Sequence, residues 1–266
     1  CLQVAERIID STKYIFINEY AAAEEYIAAK IRSVVDNNIP FMPISLVELK
    51  FVESKLNINF DQKQIDAVNE AMNSGIFVLT GGPGTGKTTT LNAIIEILKS
   101  RDKSIALAAP TGRAAKRMTE LTGFDAKTIH RLLEVEWSEN DQPYFSKNKK
   151  NPLDYDVIII DEMSMVDTLL FRSLLEAVRT TSRLILVGDS DQLPSVGAGN
   201  VLGDIIDSEV VPFVKLNKVF RQAAESTITV NAHKIINGEI PNLRDNSTDF
   251  FFISKTSPIL VAEDVV

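Results

Sequence analysis

Cysteine, histidine and long apolar runs are scarce in this 266-residue sequence, and each scarcity excludes a class of protein. A single cysteine, Cys1, cannot form an internal disulfide, which excludes a disulfide-stabilised secreted scaffold. The two histidines, His130 and His233, lie far apart along the chain, which disfavours a histidine metal site. No apolar stretch reaches the roughly 20 residues of a membrane-spanning helix, and residues 1–10 lack a signal peptide's apolar core. We therefore expect a cytoplasmic protein with no membrane partner.

An excess of basic residues is also missing, since the formal net charge is -8 and the pI is near 5.0. Overall acidity argues only weakly against a nucleic-acid partner, because a local basic groove can still bind phosphates. The apolar and charged fractions, 45% and 24%, are typical of soluble globular proteins. The length allows one large or two small domains.

Residues 81–88 read GGPGTGKT, which matches the phosphate-binding pattern G-x-x-x-x-G-K-[ST]. An apolar run precedes the motif and a helical pattern follows it, as this loop requires. Lys87 would neutralise the outer phosphates, and Thr88 would place its hydroxyl on Mg²⁺. A glycine-rich turn without a ligand is the alternative, and the strand–loop–helix context disfavours it. The predicted nucleotide contacts here are Gly82, Pro83, Gly84, Thr85, Gly86, Lys87, Thr88 and Thr89.

The first part of the chain has helical patterns. Apolar residues recur at helical spacing over residues 1–36. Ser45, with Glu48 as its capping-box partner, would cap a helix that ends near Leu56. Asp61 would cap a third helix, from Gln62 to about Met72. We predict a small N-terminal helical region over residues 1–57.

From residue 75 onward the pattern changes to alternating strands and helices. The candidate strands are residues 76–79, 105–108, 157–160, 184–187 and 211–216. These strands are apolar throughout, which favours a mostly parallel sheet with helices on both faces. The fold class is therefore a three-layer α/β P-loop domain, with nucleotide at the carboxyl ends of the strands. A polar segment over about residues 134–152 predicts an inserted β-hairpin.

Polar residues at strand ends complete a candidate catalytic set. Asp161 and Glu162 follow the apolar strand 157–160, so we assign Asp161 to the metal and Glu162 to an attacking water. Gln192 follows the next strand and is a candidate sensor of the γ-phosphate. Arg221 could stabilise transition-state charge on that phosphate, although a lone arginine is more often a surface residue. A water-activating carboxylate favours hydrolysis over a kinase reaction.

Three basic segments could contact nucleic-acid phosphates: residues 109–117 with Arg113, residues 127–131, and residues 145–150 with Lys147 and Asn148. Aromatic residues beside the third segment could stack on bases. For the first two segments the alternative interpretation is a helix with a basic face exposed to solvent, and for the third it is the solvent-exposed charge of a hairpin.

The order of these motifs resembles the RecD-like helicases of superfamily 1, the group that contains the exodeoxyribonuclease V alpha subunit. The matching segments are GGPGTGKTT (81–89), APTGRAAKRM (109–118), KTIHRLLE (127–134), VIIIDEMSMVD (157–167), LVGDSDQLPSVGAGNVL (186–202) and VFRQAAES (219–226). The resemblance covers roughly residues 58–253. It implies that residues 58–266 are a RecA-like motor domain, called 1A, with the segment 134–152 as its pin, or 1B, hairpin.

The resemblance also implies an activity and further site residues. It implies an ATP- and Mg²⁺-dependent enzyme of DNA recombination or repair that moves 5′ to 3′ on single-stranded DNA. Gln64 matches the glutamine that reads adenine, with Gln62 as the near alternative. Arg221 matches the family's first catalytic arginine. The residues that match DNA-tracking segments are Pro110, Thr111, Thr128 and His130.

The family's second motor domain does not occur in this sequence. We therefore expect a fragment that binds ATP or ADP, hydrolyses ATP weakly at best and unwinds no duplex. Its expected partners are single-stranded DNA, the second motor domain of a longer parent chain and other recombination or repair proteins. The alternatives are a P-loop ATPase switch that binds no DNA and, less favoured, a P-loop kinase.

Overall fold

The computed structural model describes residues 4–137, 143–218, 226–243 and 249–254, which fall into two compact units. The first, called the core unit, holds the described residues of Cys1–Gly81 and Lys87–Leu216. The second, called the loop unit, holds the described residues of Gly82–Gly86 and Asn217–Val266. The predicted boundary between residues 57 and 58 stays a prediction.

In chain order the described strands are β1 (Val4–Ile9), β2 (Thr12–Ile17), β3 (Ile76–Gly81), β4 (Ile105–Ala109), β5 (Ala126–Thr128), β6 (Val135–Trp137), β7 (Pro143–Phe145), β8 (Val157–Ile160), β9 (Arg183–Gly188) and β10 (Phe213–Leu216). The described α-helices are α1 (Asn18–Asp36), α2 (Leu46–Leu56), α3 (Gln62–Asn73), α4 (Lys87–Ser100), α5 (Gly112–Thr122), α6 (Ile129–Leu132), α7 (Thr168–Ala177), α8 (Val201–Asp207) and α9 (Thr227–Ile236). None of these helices has both the length and the apolar character needed to cross a bilayer.

The core unit is built on a six-stranded parallel sheet with the order β10-β3-β9-β8-β4-β5. Alternate residues of each central strand enter different apolar clusters, as Ile158 and Ile159 do on β8. One cluster includes residues of α1 and α7, and the other includes residues of α3 and α4. The predicted α/β class, with helices covering both faces of a mostly parallel sheet, is confirmed.

Five of these six strands match the predicted strands, and β5 was missed. Strand β5 has only three residues, none of them fully buried, and it pairs with β4 at one edge of the sheet. A strand so short has too few residues to display a period in the sequence.

The helix predicted over residues 1–36 is wrong for its first part. Residues Val4–Ile9 and Thr12–Ile17 pair as an antiparallel hairpin, with Ile9 opposite Thr12. Asp10 and Ser11 form the turn, both with positive φ, at 47° and 65°. Such a two-residue turn matches the twist of the paired strands. β-Branched and aromatic residues in β2 favour the strand, and the helix begins only at Asn18.

Helices α2 and α3 begin where their capping residues predict. The Ser45 hydroxyl accepts from the Glu48 backbone N–H at 3.2 Å, and Glu48 Oε2 accepts from the Ser45 N–H at 2.8 Å. Asp61 and Gln64 make the same reciprocal pair at 3.0 and 3.1 Å. These capping boxes satisfy backbone donors that the first helical turn leaves without partners.

Arg183 connects residues that precede β3 in the chain to strand β9 of the sheet. Its side chain is buried and donates hydrogen bonds to the carbonyls of Ser74 and Ile39. Its guanidinium lies 3.8 Å from the centre of the Phe41 ring. Burial lowers the pKa of Arg183 to about 10. The residues between α1 and α3 are thus anchored to the first residue of β9.

An antiparallel pair lies within the segment predicted as a hairpin insertion. Strand β6 pairs with β7, with Val135 opposite Phe145, and residues 138–142 between them lie outside the described residues. Backbone N–H groups of Ser146 and Lys147 donate to the carbonyls of Glu134 and Leu133, both at 3.1 Å. These bonds fix the base of the pair to the end of α6. The assignment of this segment as a pin stays a prediction.

Candidate nucleotide site and basic cleft

The parallel register brings the predicted catalytic residues to one edge of the sheet. Thr80 of β3 lies opposite Gly188 of β9, and Ile160 of β8 lies opposite Leu186. Because parallel strands end at a common edge, the residues that follow β8 and β9 lie close together there. Their side chains can therefore act on one ligand.

Lys87 is the first residue of α4 and its amine lies in a half-buried, charged environment. Burial lowers the pKa of the Lys87 ammonium, while the carboxylates of Asp189, Asp161 and Glu162 raise it. Its Nζ donates a hydrogen bond to the Gly81 carbonyl. A phosphate oxygen can replace that carbonyl as the acceptor, and the charge-assisted bond would be stronger.

Asp161 and Glu162 directly follow β8. The Asp161 N–H donates to the Ala108 carbonyl and the Glu162 N–H donates to Asp161 Oδ1, both at 2.9 Å. Burial raises the pKa of Asp161, and the Lys87 ammonium opposes that rise. Glu162 has a φ of 56°, a left-handed conformation that is uncommon for a residue with a side chain. The strand therefore ends sharply, with two adjacent carboxylates at its tip.

Gln192 connects the ends of β8 and β9. Its Nε2 donates to Asp189 Oδ2 at 3.4 Å, and its Oε1 accepts from the Ser164 hydroxyl at 3.5 Å. Ser164 belongs to a 3₁₀ turn, Met163–Met165, just after Glu162. Both bonds are long, so the amide can exchange them for a phosphate oxygen at little cost.

Asp189 is a site residue that the sequence interpretation did not assign. It is 1% exposed, and its Oδ1 accepts from the Asp191 N–H at 3.0 Å. Among the three carboxylates that raise the pKa of Lys87, Asp189 has the largest effect. The available signal was its place directly after β9, within the polar stretch that contains Gln192.

Gln64 is buried at the start of α3. Its side-chain oxygen is the acceptor in the capping box with Asp61, so this oxygen already has a partner. Gln62, the alternative, is exposed and donates from Nε2 to Asp66 at 2.8 Å. The assignment of Gln64 to adenine stays a prediction.

The loop Gly82–Gly86, which connects β3 to α4 along the chain, belongs to the loop unit. Gly84 and Gly86 have φ values of 71° and 88°, which glycine adopts without steric cost. The Thr85 hydroxyl is buried and donates to the Gly82 carbonyl at 2.8 Å. The loop is thus a compact turn fixed by one of its own side chains.

Thr88 and Thr89, two further predicted nucleotide contacts, follow Lys87 in α4. Thr88 is exposed and Thr89 is half-buried, both in the first turn of α4. Arg221 lies outside the described residues, so its assignment stays a prediction.

A basic cleft adjoins the same edge of the sheet. Ala109 of β4 lies opposite Thr128 of β5, so Pro110 and Thr111 come next to Thr128. The Thr111 and Thr128 hydroxyls cap α5 and α6, accepting from Ala114 N–H at 3.2 Å and Arg131 N–H at 3.1 Å. The cleft has a volume of about 700 Å³. Its lining residues are Gly112, Ala115, Lys116, Thr119, Glu120, Asp125, Ala126, Lys127, Thr128 and Arg131.

The cations that line this cleft belong to two of the predicted basic segments, 109–117 and 127–131, although none of them was named individually as a DNA contact. Lys116, Lys127 and Arg131 line it and are exposed. Arg113 is exposed on α5, although it is not part of the lining. The His130 ring is also exposed and lies 5.8 Å from the Phe145 ring, centre to centre.

Lys147 and Asn148, assigned to DNA from the sequence, make local contacts in the core unit. Lys147 lies 3.7 Å from the Glu134 carboxylate. Asn148 Nδ2 donates to the Phe145 and Ser146 carbonyls, and its Oδ1 accepts from the Lys150 N–H at 2.9 Å. These bonds give Asn148 a structural function in a turn, and DNA contact by either residue stays a prediction.

Comparison with known proteins gives consistent results. A family model described as AAA domain matches residues 64–198. The chain is 40% identical over 190 residues to the ATP-dependent RecD2 DNA helicase of Deinococcus radiodurans, covering 71% of this chain and 26% of that protein. It is 43% identical over 169 residues to the RecBCD enzyme subunit RecD of Mycolicibacterium smegmatis, covering 55% and 30%.

A solved structure also resembles the chain. The Pif1 helicase of Candida albicans aligns with a TM-score of 0.51 and 25% identity, over 70% of this chain and 46% of that one. The chain spans between a quarter and a third of the length of the RecD2 and RecD relatives named above.

Asp161 and Asp156, which flank β8, lie in opposite environments. Replacing each aspartate by asparagine should therefore change the stability of the fold in opposite directions at neutral pH. Burial raises the pKa of Asp161, so the folded protein binds this proton more tightly than the unfolded chain does. Stability is then lost as the pH rises from the unfolded value, about 3.9, through the folded value. We expect Asp161→Asn to raise the melting temperature at neutral pH by about 2–5 °C, a gain that shrinks near pH 4.

Asp156→Asn is the matched control. Hydrogen bonds from the Ser104 N–H and hydroxyl, both at 2.8 Å, lower the pKa of Asp156. Its contribution is present above the unfolded pKa and is lost as the pH falls through the folded value. This variant should therefore melt below the wild type at neutral pH. Melting curves at several pH values check both, and destabilisation by Asp161→Asn at neutral pH would contradict the account of that site.

Proposed function

Because this chain belongs to the AAA domain family, we propose that it is the ATP-binding motor domain of a RecD-like superfamily 1 DNA helicase. The observation that carries the proposal is the position of Lys87, the lysine of the P-loop motif, near three carboxylates that follow β8 and β9. The proposed helicase moves 5′ to 3′ on single-stranded DNA and serves recombination or repair. A second motor domain and other repair proteins are its proposed partners.

The residues at this edge of the sheet have different proposed functions in ATP hydrolysis. Thr88 and Asp161 supply the oxygen donors that Mg²⁺ prefers, so the residues present fit this ion. When bound, Mg²⁺ neutralises phosphate charge. Lys87 leaves the Gly81 carbonyl to bind the outer phosphates. Glu162 orients the attacking water and accepts its proton. Gln192 exchanges its bonds to Asp189 and Ser164 for the γ-phosphate and reports its loss.

Two further nucleotide contacts belong to the proposal. Gln64 reads adenine through its amide nitrogen, since its oxygen accepts from Asp61. Arg221 stabilises the charge that develops on the γ-phosphate.

Single-stranded DNA is the proposed ligand of the basic cleft. Hydroxyls at the starts of α5 and α6 and three exposed cations suit contacts with a phosphate backbone, which carry no sequence preference. Pro110, Thr111, Thr128 and His130 follow the strand, and Lys116, Lys127 and Arg131 supply positive charge. A nucleotide switch that binds no DNA would need no such cleft.

Two substitutions separate nucleotide binding from hydrolysis. Lys87→Ala should weaken binding of a fluorescent Mg²⁺–ATP analogue on the order of 100-fold, because an essential phosphate contact is lost. Glu162→Gln should leave affinity within about threefold of the wild type while turnover falls about 100-fold or more. Lys99→Ala, on the last turn of the same helix, is the matched control and should bind normally. Full nucleotide affinity in Lys87→Ala would refute the site.

Salt dependence tests the DNA proposal. Binding of a labelled dT oligonucleotide can be followed by fluorescence anisotropy. The logarithm of its binding constant should fall linearly with the logarithm of the salt concentration. Lys127→Ala and Arg131→Ala should each reduce the magnitude of that slope by about 0.7, one phosphate contact on a single strand. Lys13→Ala, an exposed cation of the β1–β2 hairpin, should leave the slope unchanged. Unchanged slopes in both cleft variants would favour a switch without DNA binding.

A further inference from the structure

Helix α9, in the loop unit, is fixed at its start and near its middle by side-chain contacts. The Ser226 hydroxyl caps it and donates to Asp249, whose other oxygen accepts from the Thr227 N–H at 2.8 Å. Near its middle, the buried Asn231 side chain exchanges two hydrogen bonds with the backbone of Asn242, at 3.1 and 2.8 Å. The side chains of α9 therefore project from a defined position.

His233 of α9 contacts the loop Gly82–Gly86. Its Nε2 lies 3.3 Å from the Pro83 carbonyl oxygen. A carbonyl only accepts hydrogen bonds, so this contact requires a proton on Nε2, with His233 as the donor.

The same histidine accounts for the glycine at position 82. A Cβ at Gly82 would lie 2.8 Å from Cε1 of His233, closer than side-chain atoms tolerate. The phosphate-binding pattern demands no glycine at its second position. The close approach of His233 therefore explains a residue that the motif leaves open.

The contact fixes the orientation of one peptide group in the loop. The C=O and N–H groups of a trans peptide point in opposite directions, so binding of the Pro83 carbonyl to His233 turns the Gly84 N–H away from the imidazole. The preceding carbonyl, of Gly82, is fixed by the Thr85 hydroxyl. Two consecutive carbonyls thus have side-chain donors, and a backbone N–H directed away from them can meet an anion.

We propose that His233 is a positioning residue of the nucleotide site: by donating to the Pro83 carbonyl, it directs the Gly84 N–H toward the phosphates. This inference rests on the proposed function, since it assumes that the loop binds a nucleotide. The proposal adds to the phosphate site a residue that lies outside the phosphate-binding motif. It also makes the effects of Gly82 and His233 on nucleotide binding depend on each other.

A double-mutant cycle tests the pair, with affinity for a fluorescent Mg²⁺–ADP analogue as the readout. His233→Ala should weaken binding about 3- to 10-fold, as expected for one lost hydrogen bond. Gly82→Ala should weaken it by a similar 3- to 10-fold, because the new methyl displaces the imidazole and the same hydrogen bond is lost. In the His233→Ala background, Gly82→Ala should cost less than about twofold, since the clash is gone.

Further variants separate positioning from folding. His233→Gln, whose amide nitrogen can replace Nε2 as the donor, should restore affinity to within about twofold of the wild type. Ile235→Ala, an exposed position two residues along α9, should bind like the wild type. If His233→Ala and Gly82→Ala bind normally while Lys87→Ala does not, this inference is wrong and the proposed function stands. Strictly additive effects in the cycle would also overturn it. If the wild type binds no nucleotide, the proposed function itself fails.

Discussion

The candidate site depends on one charge relationship: a half-buried lysine balanced against three carboxylates. Burial disfavours the Lys87 ammonium, and Asp189, Asp161 and Glu162 favour it. The Asp161 carboxylate costs stability in turn, as its raised pKa indicates. Groups that remain charged in such an environment can bind an anion and a divalent cation together, which is what Mg²⁺–ATP presents.

The fold produces this arrangement through its parallel sheet. Apolar residues on both faces of β3, β8 and β9 bury the strands under helices and leave their ends as the accessible places for polar groups. Because the strands are parallel, the polar residues that follow each of them lie at the same edge of the sheet. Arg183, at the other end of β9, anchors the preceding helices, so the site and the anchor occupy opposite ends of one strand.

Sequence patterns predicted the features that have a local physical cause. The fully apolar runs predicted five core strands, and Ser45 and Asp61 predicted two helix starts, because burial and capping act over a few residues. The β1–β2 hairpin was missed because its apolar residues also fit a helical spacing. The turn at Asp10 and Ser11, both with positive φ, lets the two strands pair instead. Asp189 and His233 were missed because their significance comes from neighbours distant in sequence. For Lys147 and Asn148, charge and polarity predicted DNA contact, which stays a prediction, and the Asn148 side chain also forms local turn bonds.

Residues 87–90, 161–164 and 189–192 are proposed to converge on one nucleotide. Hydrogen–deuterium exchange with and without a non-hydrolysable Mg²⁺–ATP analogue tests this convergence directly. The account predicts slower exchange in all three segments on binding, with unchanged exchange in the β1–β2 hairpin. Protection confined to other segments, or no protection in these three at saturating analogue, would contradict it.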